Sequence, residues 1–364
     1  MNTKIPRFFM GTSTENGFCG FPRDLFDPDP AARAFLIKSG PGTGKSTLLR
    51  ALATTFRETG ETVEEFACSS DPASLDGIGI PSRRVFVFDA TAPHTVEPTA
   101  WGYKEEIVSF GDALDTAALA AQREDIEAAA AENAAAHARA RRVLGGVTAL
   151  FVDRLALATR ALNEEKLKKI VVRLMKTELS AATCPVPFCG EQRRFLSAVT
   201  PQGLLAYPET PALLCPRLIA LDDPFCAAAQ ALLQALCAAA AQRDLPRIVC
   251  PHPLLPDRIA HLLLPSAGVG FITCDRTFSA VCPARTLHLR RVYDEAVLRA
   301  NKNRTAFDKK GEQELLSAAT DALTDAKNAH DLLEIPYKSA MNFKKLETTK
   351  SALYQRILAV SDRA

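Results

Sequence analysis

Residues 34–52 read AFLIKSGPGTGKSTLLRAL. An apolar run suited to a buried strand leads into a turn crowded with glycine, and the turn opens a segment with helical apolar spacing. Gly44-Lys45-Ser46 closes the pattern G-x-x-x-x-G-K-[ST], with Ser39 standing at its first glycine. A small side chain suits that strand exit. Gly40, Gly42 and Gly44 let the backbone curl so that successive N–H groups converge, an anion nest at a helix N-terminus. The turn therefore reads as a phosphate-binding loop in which Gly40, Gly42, Thr43, Gly44, Lys45, Ser46 and Thr47 hold ATP. Lys45 is expected to reach the β- and γ-phosphates, and the Ser46 hydroxyl to ligate Mg2+.

A carboxylate that shares the Mg2+ should end a neighbouring strand. Residues 84–89, RVFVFD, supply Asp89 after an apolar run. No Glu follows Asp89, where many motor and AAA-type ATPases place a catalytic glutamate. Between the two motifs lies the polar segment 68–77, CSSDPASLDG. Asp71, Ser74 and Asp76 are candidates to orient a water or seat a second substrate, with Asp76 counted among the catalytic residues beside Lys45 and Asp89. The alternative is that Ser69 to Asp71 cap a helix. Thr91 and His94, just after Asp89, could meet the γ-phosphate, His94 as acid, base or donor.

Strand-like and helix-like runs alternate through this region, predicting an α/β fold with a parallel sheet. From about 112 to 180 the sequence turns Ala-, Glu- and Arg-rich with helical periodicity, and the Gly145-Gly146 pair predicts a break within it. The Ala-rich part, 128–140, is explained by helix propensity and close packing.

The chain then repeats itself. Arg7-Phe8-Phe9 is echoed by Arg194-Phe195-Leu196, and one offset, 217 − 33 = 184, superposes Arg33 on Arg217, Leu48-Leu49 on Leu232-Leu233, Pro81-Ser82 on Pro265-Ser266 and Val85 on Val269. Two tandem three-layer α/β/α halves are expected. The first, 1–190, would bind nucleotide and carry the helical insertion; the second, 191–364, would be a degenerate copy ending in helices. At that offset Gly42, Lys45, Ser46 and Asp89 meet Cys226, Ala229, Gln230 and Thr273, and Asp222 and Asp223 bring negative charge toward the phosphate position. No ATP binding of the usual kind is expected there.

Bulk properties exclude little. Charged residues make up 24% of the 364, the net charge is +2, and apolar residues make up 47%, so there is no nucleic-acid signal and no acidic-lipid signal. Residues 1–10 hold two basic side chains and no apolar stretch, and the longest uncharged run, 224–242, is interrupted by Gln230 and Gln234, so a cytoplasmic chain without a membrane segment is expected. The ten cysteines are read as reduced. Cys184-x4-Cys189 and Cys250-Pro251-His252 lack the paired spacing of a zinc ribbon.

IKSGPGTGKSTLL at 37–49, CSSDPASLDGIGIP at 68–81 and VFVFDATAPHTVEP at 85–98, with the ending from Ile335 to Phe343, resemble an uncharacterised bacterial family of ATPase-like proteins with tandem P-loop halves. The resemblance implies two α/β nucleotide-binding halves with helical insertions. Such proteins carry the loop in both halves, whereas this chain retains it only in the first. An ATPase that hydrolyses ATP with Mg2+ at the single site of the first half is the leading expectation, with a kinase of unknown acceptor and a nucleotide-controlled module that docks a protein or small-molecule partner as the alternatives.

Overall fold

The computed structural model describes residues 5–179, 185–274, 277–278 and 282–361. The first half runs β1 (Arg7–Phe9), a hairpin of β2 (Gly11–Thr14) and β3 (Gly17–Gly20), β4 (Arg33–Lys38), α1 (Lys45–Glu58), β5 (Glu64–Ala67), β6 (Leu75–Ile80), β7 (Val85–Asp89) and β8 (Glu105–Ser109). Its helices are α2 (Thr116–Ala121), α3 (Arg123–Arg160) and α4 (Glu164–Thr177). The second half follows the same plan: β9 (Glu191–Arg193), the hairpin β10 (Ser197–Thr200) and β11 (Gly203–Ala206), a short α5 (Thr210–Leu214), β12 (Arg217–Asp222), α6 (Ala227–Ala241), β13 (Arg247–Pro251), β14 (Ile259–Leu264), β15 (Val269–Thr273) and β16 (Arg285–His288). It closes with α7 (Glu295–Ala300), α8 (Lys302–Ser339) and α9 (Phe343–Ser361).

Each half builds a six-stranded sheet of identical topology, β1-β5-β6-β7-β4-β8 and β9-β13-β14-β15-β12-β16. The sheets are mixed rather than parallel, because β6 and β14 run against both neighbours. Only short connections separate β5, β6 and β7, and a short link can join antiparallel neighbours but cannot make a parallel crossover. The hairpins keep an offset of 197 − 11 = 186, which matches Phe9 with Phe195, one residue away from the sequence echo. Phe9 and Phe195 form an antiparallel bridge where the halves meet.

Alternation along the strands explains the layers. On β4 and β7, Phe35, Ile37, Val85 and Val87 face α1 through Leu48, Leu49, Leu52 and Phe56. The other face, with Leu36, Phe86 and Phe88, joins Leu218, Ile248, Leu263 and Ile272 of the second sheet in one shared core. This departs from two three-layer α/β/α units: long helices cover one face of each sheet, and the apolar second face is buried against the other half. The α/β class itself is as expected. No described helix is long and apolar enough to cross a membrane.

The helices tie the halves together. Both α3 and α8 are 38 residues long and lie antiparallel, joined by the buried Arg154–Glu312 pair (2.8 Å), by Arg139–Asp325, and by Asp153–Arg304. Gly145-Gly146 does not break α3. A Cβ on Gly146 would lie 2.9 Å from Leu315 Cδ1, and one on Gly311 would lie 2.6 Å from Leu150 Cδ1, so these glycines let the two helices approach closely. Each long helix delivers the next one to the opposite half. Leu167, Val171 and Leu174 of α4 pack with Leu232, Leu233 and Leu236 of α6, while Leu346, Leu353 and Ile357 of α9 pack with α1 and β4.

Leu353 is fully buried in the core of the first sheet although its helix follows the second. Leu353→Ala is expected to lower unfolding free energy by about 2–5 kcal/mol and to reduce hydrogen-exchange protection in α1 and β4. Loss of protection confined to residues beyond 191 would contradict this exchange of helices.

Candidate functional site

The glycine-rich loop leaves the end of β4 and enters α1 through two left-handed residues, Gly42 (φ +65°) and Gly44 (φ +89°). Gly44 is the N-cap of α1 and brings no side chain to its first amides. Thr43 folds its hydroxyl back onto the Gly40 carbonyl (2.9 Å). Lys45 Nζ donates to the same carbonyl at 2.7 Å and stands 3.4 Å from Asp89 Oδ2, so the ammonium is already drawn to the β4–β7 edge. Asp89 Oδ1 accepts the amide of Thr91, whose hydroxyl accepts the amide of Ser39. Ser46 Oγ accepts the amide of Leu75 (2.9 Å), which leaves a further lone pair for a metal. Parallel pairing of β4 with β7, Ile37 opposite Asp89, thus brings together Lys45 and Asp89, 44 residues apart.

Gly42, Thr43, Gly44, Lys45, Ser46 and Asp89 line a cavity of about 860 Å3, within the range of ligand-binding clefts, whereas Ser39 and Gly40 do not reach it. Asp71, Ser74, Asp76, Thr91, His94 and Thr47 line it too. Asp71 and Ser74 are occupied with each other: Ser74 donates its hydroxyl to Asp71 Oδ2 and its amide to Asp71 O, both at 2.7 Å. They shape the turn into β6, and no helix begins there to be capped.

Asp76 is different. It is buried at 5% exposure, with Oδ2 lying 3.2 Å from His94 Nε2. Its carboxyl is pushed above the usual range by burial, against the opposing pull of His94. Cys68 completes a compact group: one donor atom each of Cys68, Asp76 and His94 lie within 4.8 Å of one another. The Cys68 thiol is pushed well above its ordinary value, by burial first and then by the charge of Asp76.

The far wall of the cavity comes from the other half. Lys327, His330, Asp331, Glu334 and Lys338 of α8 face the loop, and Asn133 and His137 of α3, from the first half, join them. Contact is direct: a Cβ on Gly40 would lie 2.5 Å from the Tyr337 ring, and one on Gly42 would lie 2.9 Å from Glu334. Glu334 is held down to about 2, first by its hydrogen bond with His330 and also by Lys338. Sequence reading missed these α8 residues, since they lie nearly 300 positions from the loop on a helix with no motif. The one signal was the phrase from Ile335 to Phe343, which contains Tyr337, packed on Gly40, and two residues of the cavity wall, Lys338 and Phe343.

The second half keeps the curve of the loop and fills it from within. Cys226, at the position of Gly42, holds φ +66° despite its side chain. Asp223 is buried and accepts the amides of Phe225 (3.1 Å) and Ala229 (2.8 Å), and Tyr293 donates its hydroxyl to the same carboxylate at 2.9 Å. Tyr293 OH also accepts the amide of Ala228. An internal carboxylate therefore satisfies the start of α6, where α1 has no side-chain cap. Asp222 lies elsewhere, paired with His288. Of the zinc candidates, Cys184 falls outside the described residues, Cys250 is buried, and His252 stacks on Phe151 while accepting the amide of Leu254.

Comparison of the chain with family models, with curated proteins and with solved structures finds no match.

Asp223→Ala removes two amide acceptors and leaves the Tyr293 hydroxyl without its carboxylate. A loss of about 1–3 kcal/mol in denaturant unfolding is expected, with no gain of nucleotide binding in the second half. An unchanged midpoint would show that the carboxylate is not what satisfies this turn.

Proposed function

We propose that the chain is a P-loop protein that binds ATP with Mg2+ at a single site in its first half and hydrolyses it. The observation that carries this reading is the Lys45 ammonium, set between the Gly40 carbonyl and Asp89 at an α1 N-terminus without a side-chain cap. The residues suit the ligand. Left-handed Gly42 and Gly44 curl the loop toward an anion, and the helix N-terminus favours negative charge. Ser46 and Asp89 offer hard oxygen donors of the kind Mg2+ takes. Bound Mg2+ would neutralise charge on the β- and γ-phosphates.

In this reading the amides from Gly42 to Thr47 fix the phosphates. Lys45, now on the Gly40 carbonyl, would bind the β- and γ-oxygens, and Asp89 with Ser46 would hold the metal. Asp76, held against His94 on the same cavity wall, orients the attacking water. The second half contributes the wall formed by α8 and no second nucleotide site, because Asp223 fills its loop.

A second reading, a nucleotide-controlled binding module, is favoured by one feature: Tyr337 and Glu334 touch the glycines that a bound phosphate would rearrange. Nucleotide would then shift α8, and with it the second half.

ATP binding and the release of ADP and phosphate are measured with Mg2+ for the wild type, Lys45→Ala and Asp89→Asn. Equal ADP and phosphate are expected, with turnover falling more than about 100-fold in either variant. Tight ATP binding with neither product favours the module, ADP in excess over phosphate in the presence of cell extract favours a kinase, and a wild type that binds no ATP overturns the proposal.

A further inference from the structure

Cys68 directly follows β5, β6 carries Asp76, and the loop after β7 brings in His94, so three separate segments converge on one buried point of the cavity wall. Asp76 Oδ2 is buried without a hydrogen-bond partner, a cost that a ligand at this oxygen would remove; Nδ1, the other ring nitrogen of His94, is likewise unpartnered. The two facing atoms, Asp76 Oδ2 and His94 Nε2, are 3.2 Å apart but outside hydrogen-bond geometry. That spacing is close to the edge of a zinc tetrahedron, about 3.5 Å for bonds of 2.0–2.3 Å. The Phe18 ring meets the imidazole edge-on at 4.5 Å and holds its orientation.

Cys68 Sγ is buried and shares the 4.8 Å cluster with the donor atoms of Asp76 and His94. A nucleophilic role does not suit this sulfur, since burial and the neighbouring Asp76 raise the thiol well above its ordinary value. A metal ion reverses that balance by taking up the negative charge.

The repeat supplies a control within the molecule. At the offset of 184, the second half has His252, Ala260 and Phe278 in place of Cys68, Asp76 and His94. The half without the glycine-rich loop thus also lacks the donor set.

We propose that Cys68, Asp76 and His94 form a site for a divalent transition metal of the zinc class, with its remaining position open to the cavity beside Lys45 and Asp89. The site is separate from the Mg2+ position at Ser46 and Asp89, because a thiolate and an imidazole select a softer ion than hard oxygens do. Binding releases the thiol proton and needs only local closure of the three side chains. With the ion bound, Asp76 serves as its ligand, and the ion would take over from the carboxylate the holding of the water that the nucleotide reading assigns to Asp76. The inference stands whether or not the loop binds nucleotide.

The test is titration of the metal-stripped protein with Co2+ in the absence of nucleotide, read by thiolate-to-cobalt charge transfer in the near ultraviolet, followed by displacement with Zn2+. One equivalent is expected. Cys68→Ser should abolish the band, His94→Gln should weaken binding at least about 10-fold, and Asp89→Asn should leave it intact. Circular dichroism of each variant separates loss of the site from loss of the fold, with His94→Gln deciding if Cys68→Ser does not fold. No binding by the wild type, or a band that survives in a folded Cys68→Ser or at full affinity in a folded His94→Gln, overturns the assignment.

Discussion

The antiparallel packing of α3 on α8 is the constraint on which the rest of the molecule depends. Each helix is anchored in one half and ends over the other, so α4 and α9 complete the core of the opposite sheet. Neither half can bury its own sheet fully without the other. Gly146 and Gly311 permit the close approach, and Arg154 with Glu312 fixes the pairing through a bidentate contact near the C-terminal end of α3. The shared core between the second faces of the two sheets adds a further bond between the halves. A single folding unit follows physically, despite two copies of one topology.

The same arrangement explains why one cavity is assembled from both copies. The loop after β4 is local, but its far wall is α8, brought in by a helix whose chain has just left the second sheet. By the same pseudo-symmetry α3 passes to the second half, where the equivalent loop is closed by Asp223 and Tyr293. The two loops share a left-handed residue at the same position, Gly42 and Cys226, and differ in what satisfies the helix start. In the second half an internal carboxylate takes up amides at the start of α6 and stabilises the turn without a ligand.

Burial sorts the polar residues of the site into different roles. Asp71 and Ser74 spend their hydrogen bonds on the turn between them, and Thr91 links Asp89 to Ser39. Asp76 and His94 keep buried atoms unmet beside Cys68. Such unmet groups are the part of the cavity wall with capacity left for a ligand.

Local pattern in the sequence was enough to mark the strands around 34–38 and 84–89, the glycine-rich loop between strand and helix, and the repeat at an offset of 184, because strand alternation, glycine conformation and helix periodicity are short-range properties. It also marked Lys45, Ser46, Asp76 and Asp89 as residues of one neighbourhood, through the expected pairing of adjacent strands. Tertiary structure alone decided that β6 runs antiparallel, that α3 passes straight through Gly145-Gly146, and that each sheet lends one face to the other half. It alone set Tyr337 and Glu334 against Gly40 and Gly42, and joined Cys68 to Asp76 and His94. Those placements depend on which apolar surfaces find each other across hundreds of residues, and periodicity carries no information about a partner at that distance.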